Sequence, residues 1–100
     1  MVKLEALDGE KAKRLAELFS AFSDPSRLRI ISALASNELN VNTLAELVGL
    51  SKSATSHQLR GLRQMRLVST NKVGRQVFYR LDDEHIKALY LHGLDHITHA

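Results

Sequence analysis

The sequence predicts a mostly α-helical winged helix-turn-helix with a small β-hairpin, extended by extra N- and C-terminal helices suited to dimerisation. Three observations carry this. Apolar residues make up 44% of the chain and only one proline is present, the composition of a globular, helix-rich protein. Two short helical patterns flank Gly49-Leu50, the tight turn of a helix-turn-helix unit. After them come two runs rich in β-branched and aromatic residues, LVST and VFYRL, and then a helical tail. The 100 residues read as one domain, spanning 1–100.

Each element follows from local signals. Asp8 can cap a first helix running to about Phe22, with Leu15, Leu18, Phe19 and Phe22 as its buried stripe. In FSDPSRLRIISAL, Asp24 suits the N-cap and Pro25 the first helical position, where a missing N–H is harmless. Leu28, Ile31 and Leu34 then share one face as far as about Ala35. The polar run SNELNVN is a turn, and a short helix is expected over Thr43 to Val48 with Asn42 as its cap. Gly49 takes the left-handed position that ends it. Ser51 caps the next helix, which runs to about Met65 with Leu59 and Leu62 inward. Strands are expected over Arg66 to Thr70 and Gln76 to Leu81, with Asn71 to Arg75 as a cationic hairpin tip.

The charge pattern narrows the function. Residues 47 to 81 contain no Asp or Glu, yet carry Lys52, Arg60, Arg63, Arg66, Lys72, Arg75 and Arg80. From Asp82 onward the balance reverses. A basic middle fits a surface that meets phosphates, the other reading being a merely solvated basic face. There is no cysteine, which excludes disulfides and thiolate metal sites. No long apolar run and no signal-peptide pattern is present, so a soluble cytoplasmic protein without membrane contact is expected.

In a helix-turn-helix the second helix enters the major groove with its N-terminal residues at the base edges. Here that helix opens Ser51-Lys52-Ser53-Ala54-Thr55-Ser56-His57-Gln58. Small residues let it sink close to the bases. Ser53, Ser56 and Gln58 can hydrogen-bond base edges, and Lys52 can reach a phosphate or guanine. Lys72 and Arg75 would meet backbone or minor groove. His57 either donates to DNA or packs the turn, and the serines alone could simply cap and solvate a surface helix.

The tail DDEHIKALYLHGLDHITHA holds four of the five histidines. At 100° per residue His85, His92, His96 and His99 fall on one stripe. Singly, each could be the polar margin of an amphipathic helix. Together they pose a length problem, since His85 and His96 lie roughly 16 Å apart along a helix. One copy cannot close a site on both, but two antiparallel copies can. A two-fold axis near Tyr90 and Leu91 would set Asp83 and His85 of one chain beside His96 and His99 of the other, twice per dimer. Asp plus three His suits four-coordinate zinc. Asp83 must then sit at or before the first turn, because residues two apart on a helix diverge. His92 lies near the axis, outside both sites, and reads as an interface residue.

The stretches FSDPSRLRIISAL, LAELVGLSKSATSHQLRGLRQMRLV and GRQVFYRL resemble the ArsR/SmtB family of bacterial metal-sensing repressors, and the likeness covers nearly the whole chain. Asp83-x-His85, ten residues, then His96-x2-His99 is similar to the pattern of the sub-class with a zinc site on its C-terminal helix. The family's other site, a Cys-x-Cys motif, has Asn40-Val41-Asn42 in its place, so that site is expected to be absent. The resemblance implies a homodimer that binds an inverted-repeat double-stranded DNA operator and is released by Zn²⁺, with Co²⁺ as a substitute. By position it puts Lys52, Ser53, Ser56 and His57 against DNA. It also implies a second-shell link from His96 to the main-chain carbonyl of Arg66.

A small zinc enzyme is disfavoured, since catalytic zinc keeps an open position whereas four ligands are on offer, and no general base or small organic substrate site is evident. The alternative is a DNA-binding regulator of the same fold whose tail histidines are structural or pH-sensing.

Overall fold

A computed structural model of the chain describes residues 3–99. The order is α1 (Gly9–Ser20), α2 (Pro25–Leu34), α3 (Val41–Val48), α4 (Lys52–Gln64), β1 (Val68–Val73), β2 (Gln76–Leu81) and α5 (Glu84–Thr98). The two strands pair antiparallel from Val68↔Leu81 to Val73↔Gln76. This is the winged helix-turn-helix with added terminal helices that the sequence predicts.

Side-chain caps set the helix starts. Asp8, Asp24, Asn40, Ser51 and Asp83 each accept from a backbone N–H two or three residues on. Two boundaries differ from expectation. α1 ends at Ser20 rather than Phe22, because Asp24 precedes a proline and is held extended at φ −105°, ψ 124°. Residues 21–23 close that gap with tight bonds, Ala21 N–H to Leu18 O and Phe22 N–H to Phe19 O. α3 begins at Val41, with Asn40 and not Asn42 as its cap, the Asn40 side chain accepting from Thr43 N–H at 2.9 Å.

The core lies where α2, α3 and α4 meet the hairpin and the start of α5. Ile30, Ile31, Leu34, Leu44, Val48, Leu59, Leu62, Leu67, Val68 and Ile86 are its buried members. The expected stripe of α1 is not buried in one chain. α1 contains no buried residue, and Leu15 and Phe19 are 41% and 49% exposed, while Leu18 and Phe22 only lean on the core.

The end of α4 and the start of the hairpin also differ from expectation. β1 starts at Val68, and Arg66 before it adopts a left-handed conformation at φ 60°. Leu67 N–H bonds Leu62 O at 2.9 Å and Arg66 N–H bonds Arg63 O at 3.0 Å, with Leu62 and Leu67 both buried. That is a Schellman termination, normally built on glycine and here carried by arginine. β2 spans Gln76–Leu81 as expected, but β1 runs on to Val73, so Lys72 belongs to β1 and the turn shrinks to Gly74-Arg75, with Gly74 at φ 62° as a two-residue hairpin requires. Leu39 joins the sheet edge through reciprocal bonds with Tyr79 at 2.8 and 3.0 Å, a contact with no local signal.

A left-handed L-residue costs roughly 1–2 kcal/mol, and glycine gives part of that back as lost chain entropy on folding. Arg66→Gly should therefore raise stability by about 0.5–1 kcal/mol in urea unfolding; an equal or lower midpoint would mean the side chain makes a compensating contact.

Candidate nucleic-acid interface and metal centre

The helix-turn-helix is locked by backbone chemistry at one corner. Gly49 takes φ 71°, and its N–H and that of Leu50 both reach Ala45 O, at 2.9 and 3.1 Å. From α2, Arg29 Nη1 donates to Val48 O at 2.7 Å and Nη2 to Leu47 O at 3.4 Å, so a cation seals the negative end of α3. Ser51 Oγ accepts from Ala54 N–H at 3.0 Å. The fully buried Thr55 hydroxyl donates to Ser51 O at 2.8 Å, satisfying the one polar side chain of the core. α4 therefore leaves the turn in a fixed direction.

Thr55, Leu59 and Leu62 anchor α4 inward. Ser53, Ser56, His57, Arg60 and Gln64 fall within about 60° of Ser53 on the opposite side. Ser53, His57, Arg60 and Gln64 are exposed and Ser56 is half-buried, while Lys52 is exposed at the helix start. Gln58 does not join this group. It is half-buried and turned about 140° from Ser53, towards the Leu62 side. Arg60 and Gln64 are the residues that sequence reasoning left unassigned, although their spacing of 7 and 11 from Ser53 was countable.

Lys72 and Arg75 are both exposed on the hairpin. Among the described residues, none of Lys52, Arg60, Arg63, Arg66, Lys72 and Arg75 forms an ion pair within the chain. Arg80 is committed elsewhere, its Nε donating to Ser69 Oγ across the strands at 3.1 Å. α4 and the hairpin thus present a cationic surface with its charges free.

On α5, Asp83 is the N-cap. Its Oδ1 accepts from His85 N–H at 2.8 Å and Ile86 N–H at 3.1 Å, leaving Oδ2 free. The His85 ring is 92% exposed, with Nδ1 3.5 Å from that Oδ1. Asp83 and His85 are therefore neighbours at the start of α5. At the far end His99 is the C-cap, its Nδ1 lying 2.9 Å from Asp95 Oδ1 and 3.1 Å from Thr98 Oγ1, which leaves Nε2 for another partner. His92 and His96 are exposed, and neither ring makes a hydrogen bond among the described residues. No three His, Asp or Glu side chains converge into a metal-holding group among the described residues.

A family profile described as "Bacterial regulatory protein, arsR family" matches residues 24–70, from the cap of α2 to mid β1. The chain is 50% identical over 99 residues to "Transcriptional repressor SmtB homolog" of Synechocystis sp., covering 99% of this chain and 75% of that protein. The chain belongs to the arsR family of bacterial regulatory proteins. Its ArsR/SmtB relatives include "HTH-type transcriptional regulator NmtR" of Mycobacterium tuberculosis, 40% identical with 93% of this chain and 78% of that protein covered. The solution structure of apo-NmtR superimposes with a TM-score of 0.83 at 38% identity, covering 98% and 82% of the two chains. The fold is shared with a homodimeric winged helix-turn-helix DNA-binding domain of Mycobacterium bovis, at TM-score 0.79 and 24% identity over 97% and 96% of the chains. As an ArsR/SmtB member the chain is a DNA-binding transcriptional regulator and not an enzyme. Among its described residues no helix is long and apolar enough to cross a membrane.

The Arg29 contact spans 19 residues of sequence and had no local signal. Arg29→Ala frees the two carbonyls at the end of α3, and stability should fall by about 1 kcal/mol in thermal or urea unfolding; an unchanged midpoint would show that water replaces the guanidinium without loss.

Proposed function

We propose that residues 1–100 act as one unit, a cytoplasmic homodimeric repressor that binds an inverted-repeat operator and is released by zinc, or cobalt, held between the α5 helices of its two copies. The observation that carries this reading is the division of donors along α5. Asp83 and His85 sit together at its start, and His96 and His99 at its end, all outside the core.

The donor set fits such an ion. Asp83 can cap α5 with Oδ1 and ligate with Oδ2, while His99, with Nδ1 against the Asp95 carboxylate, has Nε2 to offer. A carboxylate behind a ligating imidazole fixes its tautomer and orientation. Bound there, a divalent ion would supply charge and four directional bonds tying one α5 to the other.

The dimer itself is favoured by uncovered apolar surface. Leu15 and Phe19 of α1 and Leu91, Leu94 and Ile97 of α5 are exposed, Ile97 at 73%. A 12-residue helix with nothing buried is marginal in water, so α1 needs a second copy to cover it. On the DNA side Ser53, Ser56 and His57, with Lys52 at the helix start, would read the major groove. Arg60 and Gln64 share their face. Lys72 and Arg75 would hold backbone phosphates.

The link between the two functions would run from the second ring nitrogen of His96 to the Arg66 carbonyl of the family pattern. That carbonyl accepts no hydrogen bond among the described residues, so it is available. Coupling of about 1–3 kcal/mol is the usual size for two linked ligands. The second reading, with structural or pH-sensing histidines, draws support from the Asp95–His99 pair, which each chain forms alone.

Zinc titration against an operator fragment decides between them: operator affinity should fall by about 5- to 150-fold on saturation, whereas no change would leave the histidines structural. His96→Ala should abolish that response with apo DNA binding intact; loss of both would make His96 a folding residue. Replacing Lys72 or Arg75 by Ala should weaken binding on all sequences alike and reduce the salt slope by about one.

A further inference from the structure

His92 is absorbed by neither the DNA interface nor the inter-subunit ligand set. We propose that His92 and His96 of one chain form a two-histidine loading site for a divalent transition-metal ion, occupied before the four-ligand site between subunits closes. The proposal deepens the reading of α5 as a metal-sensing helix, but the pair itself needs only one chain.

Both residues lie inside the regular part of α5, one turn apart. At this spacing they differ by about 40° around the helix and about 6 Å along it. Their Cβ atoms are then about 5–6 Å apart, a span that two imidazoles can close on an ion at about 2 Å from each nitrogen. In the single chain both are exposed, His92 about 120° and His96 about 80° round α5 from the buried Ile86. Neither ring is engaged in a hydrogen bond among the described residues.

The other close pairs on this stripe are less ready. His99 lies past the end of the helix at φ −117°, with Nδ1 already against Asp95 and Thr98. His85 and His92 are two turns apart. His92 and His96 are therefore the pair of described histidines on adjacent turns with both rings free.

Sharing His96 gives the pair its role. An ion on His92 and His96, its remaining positions filled by water, takes no ligand from the partner. Closure is then a ligand exchange in which His96 stays bound. His92 and the waters leave, and His99 and the partner subunit's Asp83 and His85 take their places. No proton or electron need be gained, since every imidazole involved binds through a neutral nitrogen. Four protein ligands hold the ion more tightly than two, so the exchange runs towards the inter-subunit site. Occupancy of one site on a given His96 excludes the other.

Cobalt(II) and the full-length dimer provide the test. In Asp83→Asn/His85→Ala the asparagine keeps the cap of α5, because Asn and Asp cap equally well. Apo operator binding checks that each variant is folded. This variant should bind one cobalt per chain with the pale absorption of a water-rich octahedral ion, not the intense band of a tetrahedral one. Adding His92→Ala should weaken that binding at least about tenfold. In the otherwise native protein His92→Ala should slow cobalt association about tenfold with less than about threefold change in equilibrium affinity. The proposal is overturned if the double variant binds no cobalt, or binds it equally without His92. It is also overturned if His92→Ala lowers equilibrium affinity as far as His96→Ala does. A native protein giving only the pale spectrum, abolished by His92→Ala, would leave a two-histidine site but overturn its role in loading, since no inter-subunit site would remain to receive the ion.

Discussion

The constraint on which the rest depends is that one chain does not cover its own terminal helices. α1 buries no residue, and Leu15 and Phe19 of α1 and Leu91, Leu94 and Ile97 of α5 are exposed. Hydrophobic surface of this kind contributes little until something removes it from water. The central unit of α2, α3, α4 and the hairpin carries nearly all the buried core. The molecule thus has a packed central body and two terminal helices with exposed apolar faces. A metal held at the two ends of α5, as proposed above, would report how two copies are arranged.

The body is rigid for reasons that are mostly polar and local. A glycine at φ 71°, a buried threonine bonded to Ser51 O and the Arg29 guanidinium on Val48 O fix the angle between α3 and α4. The exit from α4 is fixed at the opposite end by a Schellman closure that strains Arg66. Strain of this size persists only where neighbouring contacts enforce it, here the burial of Leu62 and Leu67 on either side. The consequence is a carbonyl at Arg66 that accepts no hydrogen bond among the described residues.

Much of this was legible in the sequence. Asp8, Asp24 and Ser51 with the apolar periodicity behind them located α1, α2 and α4, and Gly49 and Ser51 gave the turn of the helix-turn-helix. What was missed has identifiable causes. Asn40 and Asn42 are both capping residues two positions apart, and only tertiary packing of Val41 and Leu44 chooses between them. The stripe Leu15, Phe19 reads as core because periodicity reports an apolar face, not which chain covers it. Arg29 to Val48 and Leu39 to Tyr79 are contacts between distant segments, invisible to local patterns. Gln58 is half-buried and lies about 140° round α4 from Ser53, by the same helical arithmetic that sets Arg60 and Gln64 beside Ser53. The spacing of Asp83, His85, His96 and His99 along α5 is countable in the sequence, whereas the pairing of Asp95 with His99 needed coordinates.

The connection between β2 and α5 explains how an event on the terminal helix can reach DNA without a long relay. β2 ends at Leu81, Asp82 N–H bonds Leu67 O at 2.9 Å, and Asp83 already caps α5. The start of α5 is therefore stitched to the residue that follows Arg66 at the exit of α4. The same strand leads back to the Gly74-Arg75 turn, where the hairpin carries its free cations. A group that fixes Asp83 relative to the other subunit also fixes the base of the hairpin and the end of the DNA-facing helix. Two such half-molecules can match an inverted repeat only in a limited range of mutual orientations, since half-site spacing is set by the DNA helix. Ligation across the dyad would act by removing orientations from that range, and it needs no change inside either DNA-facing body.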